Sequence, residues 1–125
     1  MKNLQAAAAV FLILAAGSSS AAAASLNEVF LFQATAETED GTYFHWEYNS
    51  PDSYEYHAEG RAWHGRKARP HVEKLYEQTG ISPSSTKEEL AEVFQNTDLP
   101  PLKRLDVRWQ DGEGELYTWL WEQDK

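Results

Sequence analysis

The sequence predicts an α+β domain in which an αα-hairpin packs on one face of a mainly antiparallel sheet. Three observations lead there: period-two hydrophobicity at both ends of the chain, amphipathic helical segments between them, and short turn signals that join the strand segments. Strands joined by tight turns pair antiparallel, and consecutive helices can then cover one face of the sheet. The predicted order is β-β-β-α-α-β-β.

Three strands are predicted in the first half of the domain. Residues 28–37, 42–48 and 53–59 each alternate apolar and polar side chains, which is typical of a half-buried strand. Turn-forming residues separate them at 39–42, which contains Asp-Gly, and at 49–52. The side chains predicted to face the core are Phe30, Phe32, Ala34, Ala36, Phe44, Trp46, Tyr48, Tyr54, Tyr56 and Ala58.

Two helices are predicted next. Pro70 suits the first turn of the first helix and Gly80 ends it. The second helix is predicted to begin at Ser85, whose hydroxyl forms a capping box with Glu88, and Pro100 stops it. Helical spacing places one stripe of each helix in the core: Val72, Leu75, Tyr76 and Thr79 in the first, Leu90, Val93 and Phe94 in the second.

Two final strands are predicted at 105–110 and 115–121, joined by the turn signal Asp111-Gly112. Their alternation places one set of side chains on the core face: Leu105, Val107, Trp109, Tyr117, Trp119 and Trp121. Period-two spacing is what a sheet core requires, so these aromatics are interpreted as core residues. Trp63 lies in a segment without a period and is the aromatic side chain predicted to be exposed.

The N-terminal segment has the pattern of a secretory signal. Lys2 precedes an apolar run at 6–16, and Ala22-x-Ala24 supplies small residues before a cleavage point at Ser25. We therefore expect residues 1–24 to be a signal peptide, residues 25–125 to form one domain, and the protein to be secreted or periplasmic. Because the chain has no cysteine, its five tryptophans and six tyrosines must stabilise the domain by packing alone.

The negative net charge of the chain indicates which classes of binding partner to expect. The net charge is −9, and removal of Lys2 with the signal would make it more negative. Nucleic acids and anionic membrane surfaces select basic proteins, so we expect neither as a partner after signal cleavage. An acidic surface steers a protein towards basic partners, although it can also serve solubility alone.

A pair of histidines suggests a metal site. His45 and His57 fall on the polar face of neighbouring predicted strands, beside Glu55. If these strands pair, the imidazoles approach to roughly 5 Å, and two imidazoles with a carboxylate can bind zinc or copper. The alternative is an ordinary solvated sheet face, and otherwise no cofactor is expected.

A basic segment stands out in this acidic chain. Basic and aromatic side chains together can bind an anion or a partner protein, helped by the N-terminal end of the predicted helix at Pro70. The alternative is that the cations pair with the protein's own carboxylates, such as Glu28, Glu55 or Glu59. The candidate residues are Arg61, Trp63, His64, Arg66, Lys67 and Arg69.

Motifs for nucleophilic, zinc-hydrolase or phosphate-loop chemistry are absent from the sequence. Elimination, charge and compartment together favour a non-enzymatic exported module that binds a protein partner, in the manner of an inhibitor or an immunity protein. Two alternatives stay open. One is an exported metal- or anion-binding protein, and the other is a small carboxylate-dependent hydrolase or a sugar binder.

Overall fold

A six-stranded antiparallel sheet forms one layer of the domain and two helices form the other, in a computed structural model that describes residues 24–124. The signal peptide predicted at the N-terminus lies outside the described residues, except for Ala24. The strands are β1 Leu31–Thr38, β2 Tyr43–Asn49, β3 Ser53–Ala58, β4 Arg61–His64, β5 Leu102–Gln110 and β6 Leu116–Glu122, and the helices are α1 Arg69–Thr79 and α2 Lys87–Gln95. Their order in the sheet is β4-β3-β2-β1-β5-β6.

The predicted fold class is confirmed, but the element order is not. The structure has a fourth strand, β4, where the sequence analysis placed an irregular segment, so the order is β-β-β-β-α-α-β-β. The turn before β4 explains the error. Glu59 and Gly60 have φ values of 53° and 79°, which is the left-handed conformation of a tight hairpin turn. Asn or Asp usually marks the first of these positions, and glutamate hides the signal.

The first strand begins later than predicted. Leu26–Glu28 forms a turn of 3-10 helix, and β1 starts only at Leu31. The Glu28 carboxylate accepts a hydrogen bond from the Ser25 backbone N–H at 2.9 Å, which closes this turn. Phe30 therefore precedes the strand and is 48% exposed, so its assignment to the core was wrong.

The first helix ends as predicted, at a left-handed Gly80 with φ 54°. The second helix is capped one residue later than predicted. Thr86 accepts a hydrogen bond from the Glu89 N–H at 3.1 Å, and the Glu89 carboxylate accepts one from the Thr86 N–H at 2.9 Å. Ser85 instead accepts a hydrogen bond from the Ser82 N–H at 2.9 Å. The sequence holds two overlapping capping-box patterns, and periodicity alone does not choose between them.

Both helices pack on one face of the sheet and bury its apolar rows. The Tyr76 ring of α1 meets Phe32 edge-on at 5.1 Å, and Phe94 of α2 meets Trp46 in the same way at 5.4 Å. Each helix contacts the sheet more extensively than it contacts the other helix. The sheet, more than a helix–helix contact, therefore orients the pair. Within residues 24–124, neither helix is long and apolar enough to span a membrane.

Candidate functional site

The uncovered face of the sheet brings the predicted histidine pair together. His45 lies directly opposite His57 in the β2–β3 ladder, and their ring centroids are 5.7 Å apart. Nδ1 of His45 lies 2.8 Å from Oγ1 of Thr35, and Nε2 lies 2.9 Å from the Glu47 carboxylate. His57 places its Nε2 3.0 Å from the Glu55 carboxylate. The predicted cross-strand approach of the two imidazoles is thus confirmed.

These contacts bear on metal binding. Both ring nitrogens of His45 already have hydrogen-bond partners, and Nε2 of His57 also has one. In the part of the chain that the structure describes, no group of three or more histidine and acidic side chains is placed to hold a metal ion. A zinc or copper site at His45, His57 and Glu55 stays a prediction, and it would require these rings to leave their present partners.

Glu47 is the carboxylate of this face with the most distinctive environment. Burial alone would raise its pKa, but hydrogen bonds from His45, Asn49 and Gln33 and the electrostatic attraction of His45 together outweigh burial and hold the pKa below its usual value. The ionised form of Glu47 is therefore favoured in the folded protein. This group is part of the solvated polar face of the sheet and gives it a pH-dependent contribution to stability.

The basic segment is spread over one end of the sheet. Arg69 pairs with Glu73 at 2.9 Å, one turn along α1, and its guanidinium lies 5.6 Å from the centre of the Tyr54 ring. Arg61 lies 4.9 Å over the ring of Trp63. The exposed residues Arg66 and Lys67, together with Arg61, form no ion pair within residues 24–124.

The structure therefore does not pair this segment with Glu28, Glu55 or Glu59, the internal partners considered from the sequence. It also separates the predicted binding residues. His64 projects onto the uncovered face, where its ring centroid lies 6.1 Å from that of His57. Trp63 faces the helix side of the sheet with Tyr56.

Trp63 is half-buried, so the prediction that it is the exposed aromatic was wrong. Its ring stacks on Tyr56 with centroids 5.0 Å apart, and Tyr56 in turn stacks on His71 at 4.3 Å with nearly parallel planes. The large apolar side chains that are exposed lie elsewhere: Phe30, Tyr43, Leu116 and Leu120. Trp63 is covered because β4 pairs with β3 and places the Trp63 ring against Tyr56. The sequence patterns did not predict β4, so they did not predict this contact.

Beside this aromatic stack lies a cleft of about 510 Å³ between the sheet, α1 and the segment after α2. Its floor is aromatic: Phe44, Trp46 and Tyr56 contribute from β2 and β3, and His71 lies at the mouth. The volume is within the range of about 300–1,000 Å³ typical of small-molecule sites. We call this feature the aromatic cleft.

The rim of the aromatic cleft is polar and carries both signs of charge. The rim side chains that can hydrogen-bond a ligand are Glu59, Lys74, Gln78, Asn96, Thr97 and Asp98. The sequence patterns did not indicate this site. The signal was present on α1, where His71, Lys74 and Gln78 recur at helical spacing beside the core stripe. The remaining rim residues come from a turn and a loop, which periodicity cannot place.

A second groove, of about 490 Å³, lies at the tip of the β5–β6 hairpin. Four carboxylates, those of Glu28, Asp111, Glu113 and Glu115, line it together with the Tyr117 ring, and no lysine or arginine among residues 24–124 does. Desolvation, reinforced by the nearby carboxylates, raises the pKa of the Tyr117 phenol. We call this feature the acidic groove.

The hairpin tip itself is well ordered by its own hydrogen bonds. The Asp111 carboxylate accepts hydrogen bonds from the backbone N–H groups of Glu113 at 2.9 Å and Glu115 at 3.0 Å. A Cβ atom at Gly112 would lie 2.5 Å from the carbonyl oxygen of Glu28. Only glycine fits this close approach, which joins the hairpin tip to the start of the domain.

Comparisons with protein-family models, with curated proteins and with solved structures found no significant match to this chain. Its function must therefore be argued from the two grooves and the sheet themselves.

Proposed function

We propose that this protein is a non-enzymatic binding module and that the aromatic cleft binds a carbohydrate. The observation that carries the proposal is the combination of an aromatic floor with a rim of amides, carboxylates and a lysine in one cleft of about 510 Å³. This composition matches the two surfaces of a sugar ring. The proposal corresponds to one of the alternatives left open by the sequence.

The aromatic floor supports the apolar part of such a ligand. The C–H groups on one face of a sugar ring pack against the π-face or edge of aromatic side chains, which exclude water from that contact. Tyr56 is held in place by contacts with Trp63 at 5.0 Å and His71 at 4.3 Å, two rings that also lie 5.8 Å from each other. A platform fixed in advance loses little side-chain freedom when the ligand arrives.

The rim supports the hydroxyl groups. Amides such as Gln78 and Asn96 both donate and accept hydrogen bonds, and carboxylates such as Asp98 accept them strongly. A charged small molecule would meet both signs of charge at this rim, from the acids Glu59 and Asp98 and from Lys74. A neutral, polyhydroxylated ligand therefore fits better than a strongly charged one.

The test is calorimetric titration of the purified protein with soluble oligosaccharides that span hexose, N-acetylhexosamine and pentose types. We expect at least one class to bind and the binding to quench tryptophan fluorescence, because Trp46 lies in the floor. His71→Ala and Asn96→Ala should each weaken binding by roughly 3–10-fold, the loss of one stacking or hydrogen-bonding partner.

His64→Ala is the matched control, because His64 is an exposed histidine on the opposite face of the sheet. It should leave the affinity unchanged. Failure of every saccharide class to bind would overturn the proposal. Release of new reducing ends from a bound oligosaccharide would replace it with a hydrolase that uses Glu59 and Asp98.

A second candidate function is recognition of a basic protein, as expected from the acidic composition. The acidic groove supports it, because four carboxylates and Tyr117 surround about 490 Å³ without a compensating cation. A lysine or arginine side chain could lie against the aromatic ring while the carboxylates neutralise its charge. A partner of this kind would be steered by the net charge of −9.

This candidate is tested with a lysine- and arginine-rich probe peptide at two salt concentrations. Glu113→Gln and Glu115→Gln should weaken binding at low salt, whereas Glu92→Gln on the exposed side of α2 should not. Equal losses in all three variants would indicate attraction by net charge alone and remove the acidic groove from consideration.

A further inference from the structure

The sheet has two edge strands, β4 and β6, and β6 lacks the features that keep an edge strand from pairing with another strand. β6 is seven residues long and lies at the edge of the sheet, so the backbone N–H and C=O groups on its outer side have no strand to pair with within residues 24–124. Leu116 is 54% exposed and Leu120 is 45% exposed, and both lie on the uncovered face. A long edge with exposed leucines is a template for pairing with another strand.

The edge also lacks the charges that usually prevent such pairing. No charged residue occurs between Leu116 and Trp121. The first charge after this segment, Glu122, already lies 3.6 Å from Arg104 of the neighbouring strand β5. Aromatic and β-branched residues with high strand propensity fill the rest of the strand. Such a segment pairs readily with an identical one.

We propose that β6 is a self-association edge, at which a second copy of this chain adds its own β6 antiparallel to form one continuous sheet across the two subunits. A twofold axis at Thr118 gives the pairing its register. Leu116 then lies opposite the partner's Leu120, and the two exposed leucines of each copy leave water together. On the helix face, Tyr117 lies opposite the partner's Trp119, which forms a cross-strand aromatic pair.

This register places no like charges opposite each other. Glu122 lies opposite the partner's Gly114, and the centre of the seam is a pair of threonines, which can hydrogen-bond across the strands. Because both copies use the same patch, the interface is closed and stops at a dimer. In each subunit, the outer backbone N–H and C=O groups of β6 then form hydrogen bonds with β6 of the other subunit.

Charge favours a second copy over a basic protein as the occupant. Strands β5 and β6 carry the cations Lys103, Arg104 and Arg108 against the acids Asp106 and Glu122, and Lys103 also lies 3.7 Å from Glu37 of β1, so this end of the sheet is close to neutral in a chain of net charge −9. A second copy therefore meets little local charge repulsion here, whereas a basic partner would be drawn to the acidic groove instead. The copies still repel each other at long range, so added salt should strengthen the dimer.

The test is sedimentation equilibrium of the purified protein over a range of concentrations. We expect twice the monomer mass at high concentration, with a dissociation constant that falls as salt rises. Thr118→Lys places two ammonium groups at the twofold axis, roughly 5 Å apart at the Cβ atoms, and should return the protein to a monomer. Ala62→Lys, an exposed position on β4 at the other edge, is the matched control and should leave the dimer intact.

Hydrogen exchange separates loss of the interface from loss of folding. Backbone amides of β6 should become more protected as concentration rises in the wild type, whereas the amides of β1 should be protected at every concentration in both variants. A wild-type protein that is monomeric at all concentrations and salt levels would overturn the proposal. So would a dimer that survives Thr118→Lys or dissociates on Ala62→Lys.

Discussion

The two edges of the sheet end in different ways. β4 has only four residues, begins with a cation, and is followed at once by the turn Gly65–Lys67, which adds Arg66 and Lys67. β6 has seven residues and no charge before its last one. Short length and positive charge are the devices that keep sheet edges from pairing. β4 uses both devices, and β6 uses neither.

The two edge strands also contact the helix layer in different ways. Trp63 on β4 is held by contacts of its ring with Tyr56, His71 and the Arg61 guanidinium. Trp119 on β6 donates its indole N–H to the carbonyl oxygen of Ser85 at 2.9 Å, which ties the edge to the start of α2. The short length and positive charge of β4 thus protect the basic edge from pairing with another strand. The apolar edge, β6, lacks this protection, but the Trp119 hydrogen bond fixes it to the helix layer.

The largest expected effect comes from removing these anchors. Trp119→Ala should lower the free energy of unfolding by about 2–4 kcal/mol, because it deletes a half-buried indole and leaves the Ser85 carbonyl without its donor. Trp63→Ala should cost about 1–2 kcal/mol, since ring stacking, the contact with Arg61 and partial burial are lost but no side-chain hydrogen bond is broken. Urea denaturation of both variants measures the difference.

Leu120→Ala serves as the control, because Leu120 is exposed on the same strand and has no anchoring contact. It should change the stability of the monomer by less than about 0.5 kcal/mol. A Trp63 variant less stable than the Trp119 variant would reverse the assignment of the stronger anchor to β6.

A smaller effect is expected from the polar face of β2, which contains Glu47. The pKa of Glu47 is lowered in the folded state, so its contribution to stability is present above the usual glutamate pKa and is lost as pH falls through the lower, folded value. Glu47→Gln should therefore reduce stability at pH 7 and flatten its decline in acid. Thermal melting between pH 7 and 3 measures this.

Glu122→Gln, on β6, is the matched variant, since Glu122 is exposed and its ion pair with Arg104 spans 3.6 Å. Surface pairs of this kind contribute little, so its melting profile should follow the wild type. If both variants changed the profile equally, the environment of Glu47 would not be special.

The smallest expected effect concerns zinc. We expect zinc to leave the melting temperature unchanged, because His45 and His57 would have to abandon Glu47, Thr35 and Glu55 to bind it. A rise in melting temperature that depends on zinc and disappears in His57→Ala would establish the metal site predicted from the sequence. His71→Ala controls for loss of an imidazole, because His71 lies on α1, on the other side of the sheet from His45 and His57.

Much of the fold follows from local patterns that the sequence displays. The alternation in β2 and the left-handed Gly80 depend on neighbours a few residues away along a strand or helix. The pairing of His45 with His57 requires only that two strands adjacent in sequence form a hairpin. β4 was missed because its strand is short and its turn uses Glu59 where asparagine is usual. Local rules succeeded where the residue types were typical of the structure they form.

The aromatic cleft was not predicted, for a different reason. Its floor comes from β2 and β3 and its rim from α1 and the segment after α2, so its residues meet only through the packing of helix on sheet. Nothing in the spacing of Asn96 or Asp98 relates them to Tyr56. The basic segment shows the converse, because residues adjacent in sequence, such as Trp63 and His64, point to opposite faces of the sheet.

The position of β1 at the middle of the sheet sets the course of folding. One side of β1 pairs with β2, its neighbour in sequence, but Phe32 on the other side pairs with Trp109, near the end of the chain. As the chain is synthesised, the first four strands can form early, because they pair with neighbours in sequence. The side of β1 that pairs with β5 stays unpaired until nearly the whole domain has been made. Pairing between distant parts of the chain slows folding, because the long loop must close before the contact can stabilise it. The side of β1 that β5 covers in the folded protein is thus the one most available for incorrect pairing during synthesis.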